Sequence, residues 1–165
     1  MTYLDQIKNY IKDIPDFPKK GIVFKDIQPL LSNPILFNHT ITSLGKLTKV
    51  IPDYWVGIES RGFLFSSALA MKYRAGIKLI RKPNKLPPPV ISKSYDLEYG
   101  SDIIEMPPGK GTVVIIDDVY ATGGTMEAAE QLCTDAGYNV IDKLVLINLL
   151  NLHGSTDIKS LIQYE

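Results

Sequence analysis

The chain contains 165 residues, a usual length for one domain with its own hydrophobic core. Its 18 basic and 18 acidic side chains balance, so the overall charge offers no field that would hold a nucleic-acid backbone or an anionic membrane surface. The composition is that of a globular protein, no apolar run is long enough to cross a bilayer, and the charged N-terminus and single cysteine lead us to expect a cytoplasmic protein.

The first third of the chain contains two helical patterns. Four apolar residues are spaced as on one face of a helix: Leu4, Ile7, Ile11 and Ile14. This spacing predicts an amphipathic helix that Pro15 ends. Asn33 followed by Pro34 is the order expected at a helix start, so we predict a second helix over 35–47.

From residue 54 onward, strand patterns alternate with helix patterns. The predicted strands are 54–58, 76–80, 112–116 and 139–149. The predicted helices are 62–73, which we expect to be buried, and 125–136, which Gly137 ends. Such alternation is typical of βαβ units, so the expected fold class is α/β, with a mostly parallel twisted sheet and helices on both faces.

The stretch 82–111 matches none of these elements. It contains six prolines, which disfavour a central strand or a helix interior, so we expect it to be mostly loop. A loop this long inside a compact domain is commonly an active-site lid or a disordered segment. Its lysines, tyrosines and glutamate favour a lid, and we expect the lid segment, residues 82–100, to be mobile before ligand binds.

The segment 113–125 (VVIIDDVYATGGT) carries the clearest chemical signal. Asp117 and Asp118 follow a buried strand, and five small residues then open a helix: Ala121, Thr122, Gly123, Gly124 and Thr125. The helix N-terminus offers backbone N–H groups and a positive dipole end to a phosphate. The two aspartates would repel a phosphate, and they suit ligand hydroxyl groups or a hydrated Mg²⁺. We therefore predict a ligand that carries both a phosphate and a diol; a strand and helix with capping threonines and surface acids is the alternative.

Two further segments suit anions. Glu59, Ser60, Arg61 and Gly62 join a predicted strand end to a helix start, which predicts a second anion site backed by the Arg61 guanidinium. Three cations lie close together in the proline-rich stretch and could fold over a diphosphate: Arg81, Lys82 and Lys85. The alternatives are a surface salt bridge for Arg61 and a solvated charge run for the three cations.

The segment 113–125 strongly resembles the signature of the type I phosphoribosyltransferases, which bind 5-phosphoribosyl 1-diphosphate (PRPP). Three further blocks resemble the adenine phosphoribosyltransferases: FPKKGIVFKDIQPLL at 17–31, GIESRGFLF at 57–65, and RKPNKLP with SYDLEYG between 81 and 100. The resemblance covers most of the chain. It implies a single phosphoribosyltransferase domain over 1–165 with the fold of that family, a small hood and a flexible lid loop.

The resemblance implies roles for residues around PRPP. Residues 121–125 would bind the 5-phosphate, and Asp117 and Asp118 would face the ribose hydroxyls. The other implied PRPP contacts are Ser60, Arg61, Arg81, Lys82, Lys85 and Tyr99. Two residues are expected to be catalytic: Arg61 neutralises the leaving diphosphate, and Glu98 accepts the N9 proton of adenine once the lid closes. A loop glutamate without a role is the alternative for Glu98.

The resemblance also implies an adenine site formed by Val23, Phe24, Lys25 and Leu149. Phe24 would stack on the purine and the backbone of Val23 would read its amino edge. Leu149 would cover the base, although a leucine in such an apolar strand is more often core. Tyr120 departs from the family, where leucine is more usual, and the segment 104–111 is shorter than usual.

The implied reaction is the formation of AMP and diphosphate from adenine and PRPP in purine salvage, carried out by a homodimer with Mg²⁺ as cofactor. Mg²⁺ would be held mainly by PRPP and water, near Asp117, without a protein metal site. One alternative is a phosphoribosyltransferase for a 6-oxopurine, xanthine or a pyrimidine, against which Phe24, Glu98 and Tyr99 argue. The other is a non-catalytic regulator that senses PRPP; such proteins usually carry an added DNA-binding domain.

Overall fold

The computed structural model describes residues 2–97, 99–154 and 157–165. Two compact units divide the chain, Met1–Ser43 and Leu44–Glu165. The first unit contains α1 (Tyr3–Asn9), β1 (Lys12–Pro15), β2 (Val23–Asp26), α2 (Gln28–Leu31) and most of α3 (Pro34–Gly45). The second contains β3 (Tyr54–Ile58), α4 (Gly62–Tyr73), β4 (Gly76–Ile80), β5 (Ile91–Asp96), β6 (Ser101–Met106), β7 (Thr112–Tyr120), α5 (Gly124–Asp135), β8 (Asn139–Leu149), a 3₁₀ turn (Leu150–Leu152) and β9 (Lys159–Tyr164).

The prediction of one N-terminal helix ending at Pro15 is wrong. The helix α1 ends at Asn9, and residues 12–15 instead form β1, which pairs antiparallel with β2. Ile7 and Ile11 are buried as expected, whereas Ile14 is 39% exposed. The helical spacing was misleading because the backbone of residues 12–15 hydrogen-bonds to β2, a partner that the local pattern does not reveal.

The start of α3 confirms the prediction made from Asn33 and Pro34. The Asn33 side-chain oxygen accepts hydrogen bonds from the backbone N–H groups of Ile35 and Leu36, at 3.2 and 3.1 Å. Pro34 is the first helical residue, where its missing N–H costs no hydrogen bond. The helix ends at Gly45, slightly earlier than predicted.

The five-stranded sheet of the second unit confirms the α/β prediction. Its strand order is β4-β3-β7-β8-β9, and all neighbouring strands are parallel. The connections through α4 and α5 run in opposite directions from the central pair, so right-handed crossovers place these helices on opposite faces. The order reverses between β3 and β7. In such sheets, the crevice beyond the carboxyl ends of the strands at this reversal is where ligands bind.

The core of the second unit lies between the sheet, α5 and the hairpin of β5 and β6. Val56, Ile115, Val145 and Leu132 are fully buried there. Cys133 is also buried, and burial raises the pKa of its thiol to about 12, so the thiol stays protonated. The prediction of a buried α4 holds for one face only, because Met71 is 82% exposed.

The prediction that residues 82–111 are mostly loop holds for most of this stretch, but it missed a hairpin within it. They include β5 and β6, which pair antiparallel as a hairpin. All six prolines lie outside these strands, at positions where no ladder hydrogen bond is needed. Ile104 and Met106 on β6 are buried against the core, which anchors the hairpin on the second unit. Whether the lid segment is mobile stays a prediction.

Other bounds also differ from expectation. The strand β7 continues to Tyr120, which pairs with Asn148, so Asp117 and Asp118 lie within the strand and not beyond its end. The edge strand β9 was not predicted; it pairs parallel with β8. Within the described residues, no helix has the length and apolarity to span a membrane.

Candidate active site

One cavity of the second unit lies where the sheet order reverses. It has a volume of about 330 Å³ and is bounded by the residues that follow β3, by the acidic part of β7 and by the hairpin. Six of the predicted PRPP residues line it: Ser60, Arg61, Lys82, Asp117, Asp118 and Thr125. The structure therefore brings together residues that lie far apart in the sequence.

Asp118 and Arg61 form an ion pair in this cavity. Arg61 Nε lies 2.6 Å from Asp118 Oδ2, and Asp118 is only 6% exposed. Two glycines allow close packing around α4: Gly62 lets the start of α4 approach β7, and Gly57 lets α4 approach β3. A β-carbon at Gly62 would stand 2.8 Å from the Ile116 carbonyl oxygen, and one at Gly57 would stand 2.3 Å from Ser66 Oγ. The absence of a side chain at Gly62 thus lets the start of α4, next to Arg61, lie close to β7.

The surroundings of Asp117 raise the pKa of its carboxyl group. Burial, followed by the charge of Asp118, raises the pKa of Asp117 well above its ordinary value. Its Oδ1 accepts a hydrogen bond from the backbone N–H of Asp118 at 2.9 Å. A carboxyl group in this position gains from a ligand hydroxyl or a cation, because either one replaces the lost solvation.

Arg81 and Lys82 are held by acids of the same unit. Arg81 Nη2 lies 3.3 Å from Glu59 Oε1, and the backbone N–H of Lys82 donates to Glu59 Oε2 at 2.8 Å. These two partners, the Lys82 N–H first, lower the pKa of Glu59. Lys82 Nζ pairs with Asp102, which also accepts a hydrogen bond from the Tyr95 hydroxyl at 3.4 Å.

Sequence reasoning gave no role to Glu59, Asp102 or Tyr95. All three line the cavity beside the predicted residues. Glu59 lies in the loop that the sequence predicts to be an anion site, but the sequence pattern assigns no role to its carboxylate. Asp102 and Tyr95 lie opposite each other in the β5–β6 register. A prediction of this hairpin would have indicated that they are neighbours.

A smaller cavity lies at the start of α5. Its volume is about 90 Å³, and it is lined by Tyr120, Ala121, Thr122, Gly123 and Thr125 together with Asp117, Val119 and Met126. Gly123 has φ 94°, a left-handed conformation that favours glycine. Within the described part of the chain no side-chain hydrogen bond caps α5, and Gly123, Thr125 and Met126 at its start line this cavity, where an anion site would use the first N–H groups of the helix.

The predicted adenine residues lie in separate parts of the fold. Val23, Phe24 and Lys25 form most of β2 in the first unit, where Phe24 packs edge-to-face on Phe17 with ring centroids 5.2 Å apart. Lys25 is buried, and its Nζ lies 2.6 Å from Asp13 Oδ1. Leu149 is the last residue of β8 in the second unit.

Four predicted residues of the stretch 81–99 lie outside the lining of the 330 Å³ cavity or outside the described residues. Arg81 and Lys85 do not line the 330 Å³ cavity as the structure describes it. Arg81 Nη1 donates to the backbone carbonyl of Lys85 at 3.5 Å, so the two residues are adjacent. Tyr99 is 85% exposed. Glu98, the expected proton acceptor, lies outside the described residues.

The site can accept a divalent cation only together with ligand oxygens. Among the residues that the structure describes, no group of three or more His, Cys, Asp or Glu side chains could hold a metal ion. Asp117 and Asp118 offer carboxylate oxygens, which suit Mg²⁺, and substrate phosphates with water commonly complete its shell.

Comparisons with known proteins agree with this geometry. A family model of the phosphoribosyl transferase domain matches residues 48–157. An adenine phosphoribosyltransferase of Bdellovibrio bacteriovorus is 48% identical over 165 residues, which cover 96% of this chain and 99% of that protein.

Solved structures extend the likeness to the fold. The crystal structure of adenine phosphoribosyltransferase from Thermoanaerobacter pseudethanolicus has a TM-score of 0.90 at 42% identity, with 98% of this chain and 99% of that chain covered. The enzyme from Saccharomyces cerevisiae, complexed with adenine and an imino-altritol bisphosphate, has a TM-score of 0.85 at 35% identity, with 97% and 96% covered. The chain therefore belongs to the phosphoribosyltransferases and, within them, to the adenine phosphoribosyltransferases.

Proposed function

We infer that this protein transfers the 5-phosphoribosyl group of PRPP to adenine and releases AMP and diphosphate. The observation that carries this conclusion is the convergence of Asp117, Asp118, Arg61 and Thr125 on one cavity at the reversal of the sheet order. A phosphorylated sugar with neighbouring hydroxyls and a diphosphate matches this set of groups. The adenine phosphoribosyltransferase relatives support adenine as the acceptor.

In this reaction N9 of adenine forms a bond to C1 of the ribose, and the bond from C1 to the diphosphate oxygen breaks. Diphosphate leaves with the electron pair, and the N9 proton passes to Glu98. We propose that Arg61 and Ser60 bind the leaving diphosphate, because they follow β3 where backbone N–H groups and a guanidinium can meet an anion. Glu98 and Arg61 are the proposed catalytic residues.

The remaining PRPP contacts follow from the same placement. Residues 121–125 bind the 5-phosphate, and Asp117 and Asp118 bind the ribose hydroxyls. The proposed lid contacts to diphosphate are Arg81, Lys82, Lys85 and Tyr99. Because Arg81 and Lys82 pair with Glu59 and Asp102 in this structure, a diphosphate must exchange with these acids when it binds.

Mg²⁺ fits this proposal through the ligand. Its chemistry, when bound, is to neutralise charge on the diphosphate oxygens. We propose that PRPP oxygens and water provide most of its shell near Asp117. The pair of adjacent carboxyl groups and the raised pKa of Asp117 support a place for positive charge there.

The proposed adenine site combines Val23, Phe24, Lys25 and Leu149. Val23, which is 49% exposed, and the aromatic ring of Phe24 suit a flat base with an amino group. We further propose that the chain acts as one phosphoribosyltransferase domain in a cytoplasmic homodimer, on the strength of the family resemblance. Sedimentation of the purified protein tests the dimer.

Base choice tests the proposed function. Turnover of adenine, hypoxanthine, guanine, xanthine and orotate should be measured in parallel with PRPP and Mg²⁺. We expect adenine to exceed each other base by at least about tenfold in kcat/KM, because a 6-oxo group would leave a buried polar contact unpaired at a cost of about 1–3 kcal/mol. Preferred use of hypoxanthine would favour a 6-oxopurine enzyme, and PRPP binding without turnover of any base would favour a regulator.

A further inference from the structure

We propose that the hydroxyl group of Tyr120 donates a hydrogen bond to the 5-phosphate of PRPP and of AMP. This assignment rests on the proposed function, to which it adds a binding residue specific to this chain. Tyr120 stands directly before the phosphate-binding residues 121–125, and the resemblance to the family gives it no such role.

The position of the hydroxyl group carries the proposal. Tyr120 lines the 90 Å³ cavity together with Thr122, Gly123 and Thr125, whose backbone and hydroxyl groups would surround the phosphate. A β-carbon at Gly123 would stand 2.4 Å from the Tyr120 hydroxyl oxygen. The hydroxyl therefore lies directly over the loop that binds the anion, and the glycine makes room for it.

The hydroxyl group is available as a donor. Across residues 2–97, 99–154 and 157–165, Tyr120 makes no side-chain hydrogen bond. Burial, followed by the charge of Glu127, raises the pKa of Tyr120, so the hydroxyl keeps its proton at neutral and mildly alkaline pH. A phosphate dianion is a strong acceptor that such a half-buried donor can meet.

The ring of Tyr120 is oriented by its neighbours. His153 packs edge-to-face on Tyr120, with ring centroids 4.8 Å apart. His153 Nε2 lies 2.8 Å from Asn148 Oδ1, and because an amide oxygen only accepts, Nε2 donates. Asn148 is fully buried in β8 and pairs with Tyr120 in the sheet register. These contacts fix the direction of the phenol ring, which lowers the entropy lost when its hydroxyl group meets the phosphate.

Binding measurements on Tyr120→Phe test this proposal. The variant keeps the ring and its contact with His153 and removes only the hydroxyl group. Calorimetric titrations should compare wild type and variant with AMP, with adenosine, which lacks the phosphate, and with diphosphate, which binds elsewhere. We expect AMP affinity to fall about tenfold, as for the loss of one hydrogen bond to a charged group, while adenosine and diphosphate affinities stay within twofold.

Controls separate a binding role from a structural one. Tyr138→Phe also removes a hydroxyl, which donates to the Pro107 carbonyl at 3.3 Å outside both cavities, and it should leave AMP affinity unchanged. Tyr120→Leu provides a second variant, and it should bind AMP at least as weakly as Tyr120→Phe. The ligand-free melting temperature of Tyr120→Phe should equal that of the wild type.

Two results would overturn the assignment of Tyr120 alone: unchanged AMP affinity in Tyr120→Phe, or an equal loss of affinity for AMP and adenosine. The proposed function is judged separately, on the wild type. A wild-type protein that neither binds AMP nor converts adenine would overturn the proposed function and, with it, this assignment.

Discussion

Asp117 and Asp118 are adjacent residues of β7 with different surroundings. Asp118 is buried and faces the Arg61 guanidinium at 2.6 Å. Asp117 meets burial and the charge of its neighbour, and its pKa rises. The Asp118 carboxylate is thus paired with a cation of the protein. The Asp117 carboxyl group has lost solvation on burial, and a ligand could replace that solvation. The two residues should therefore respond differently to substitution.

Asp118→Ala should damage PRPP use and leave the fold intact. The residue lies at the ligand end of β7, and its carboxylate is expected to bind a ribose hydroxyl. Loss of a hydrogen bond to a charged group costs about 3 kcal/mol at most, so kcat/KM for PRPP should fall up to roughly 100-fold. Steady-state kinetics check this, with the exposed Asp135→Ala on α5 as the control. Unchanged PRPP kinetics in a folded Asp118→Ala protein would contradict the assignment.

Asp117→Asn should stabilise the protein at neutral pH while it weakens PRPP binding. Because the folded pKa of Asp117 is raised, the folded state keeps the proton to a higher pH than the unfolded chain, and stability falls as pH rises through the folded pKa. Asparagine does not ionise and so removes this loss of stability. It also keeps a side-chain oxygen that can accept the hydrogen bond from the Asp118 N–H. We expect Tm to rise by about 3 °C at pH 8 and by less at pH 4, measured by calorimetry. An equal gain at both pH values would mean that the ionised carboxyl group is not the cause.

The hairpin of β5 and β6 links the lid segment to the site. The hairpin is anchored by Ile104 and Met106 in the core, while Lys85 and Tyr99 on the connecting segments are exposed. Lys82, which precedes β5 in the chain, pairs with Asp102 on β6. Because a diphosphate is a stronger partner than one carboxylate, ligand binding should favour a rearrangement of the segment over the site.

Limited proteolysis tests the lid. Trypsin can cleave after the exposed Lys85, whereas Pro83 blocks cleavage after Lys82. We expect cleavage at Lys85 to slow at least about tenfold when Mg²⁺, PRPP and 9-deazaadenine are bound, since the closed form is then populated. The exposed Lys110 lies outside the segment and provides the control site. Equal rates at Lys85 with and without ligands would make this segment an ordinary surface loop.

PRPP and Mg²⁺ should stabilise the folded state jointly. The cavity draws on residues after β3, on β7, on the hairpin and on α5, so its ligand bridges elements that local unfolding would separate. At one hundred times Kd the gain is about 2.7 kcal/mol, or roughly 5–10 °C in Tm. Thermal scans with PRPP and Mg²⁺, with PRPP and EDTA, and with Mg²⁺ alone check this. A full shift in EDTA would contradict the role of the ion.

Much of the sheet and its helices follows from local patterns. The predicted bounds of β3, α4, β4 and β8 are those of the structure. The apolar residues of each segment are enough to predict its conformation. The strands among them are continuous apolar runs because both faces of a parallel sheet are covered. By contrast, β1, β5, β6 and β9 depend on a partner strand elsewhere in the chain, and prolines lie within β1 and on either side of the β5–β6 hairpin.

The family, the two segments proposed to bind anions and the acidic pair can be recognised from the sequence, because their residue types stand together in short blocks. Which charges meet depends on the fold. Arg61 pairs with Asp118, Arg81 with Glu59 and Lys82 with Asp102, in each case across about twenty residues or more. The pairing of these charges, the burial of the acids and the raised pKa of Asp117 depend on which strand ends lie side by side. Sheet order and packing set that arrangement, and a local sequence pattern contains neither.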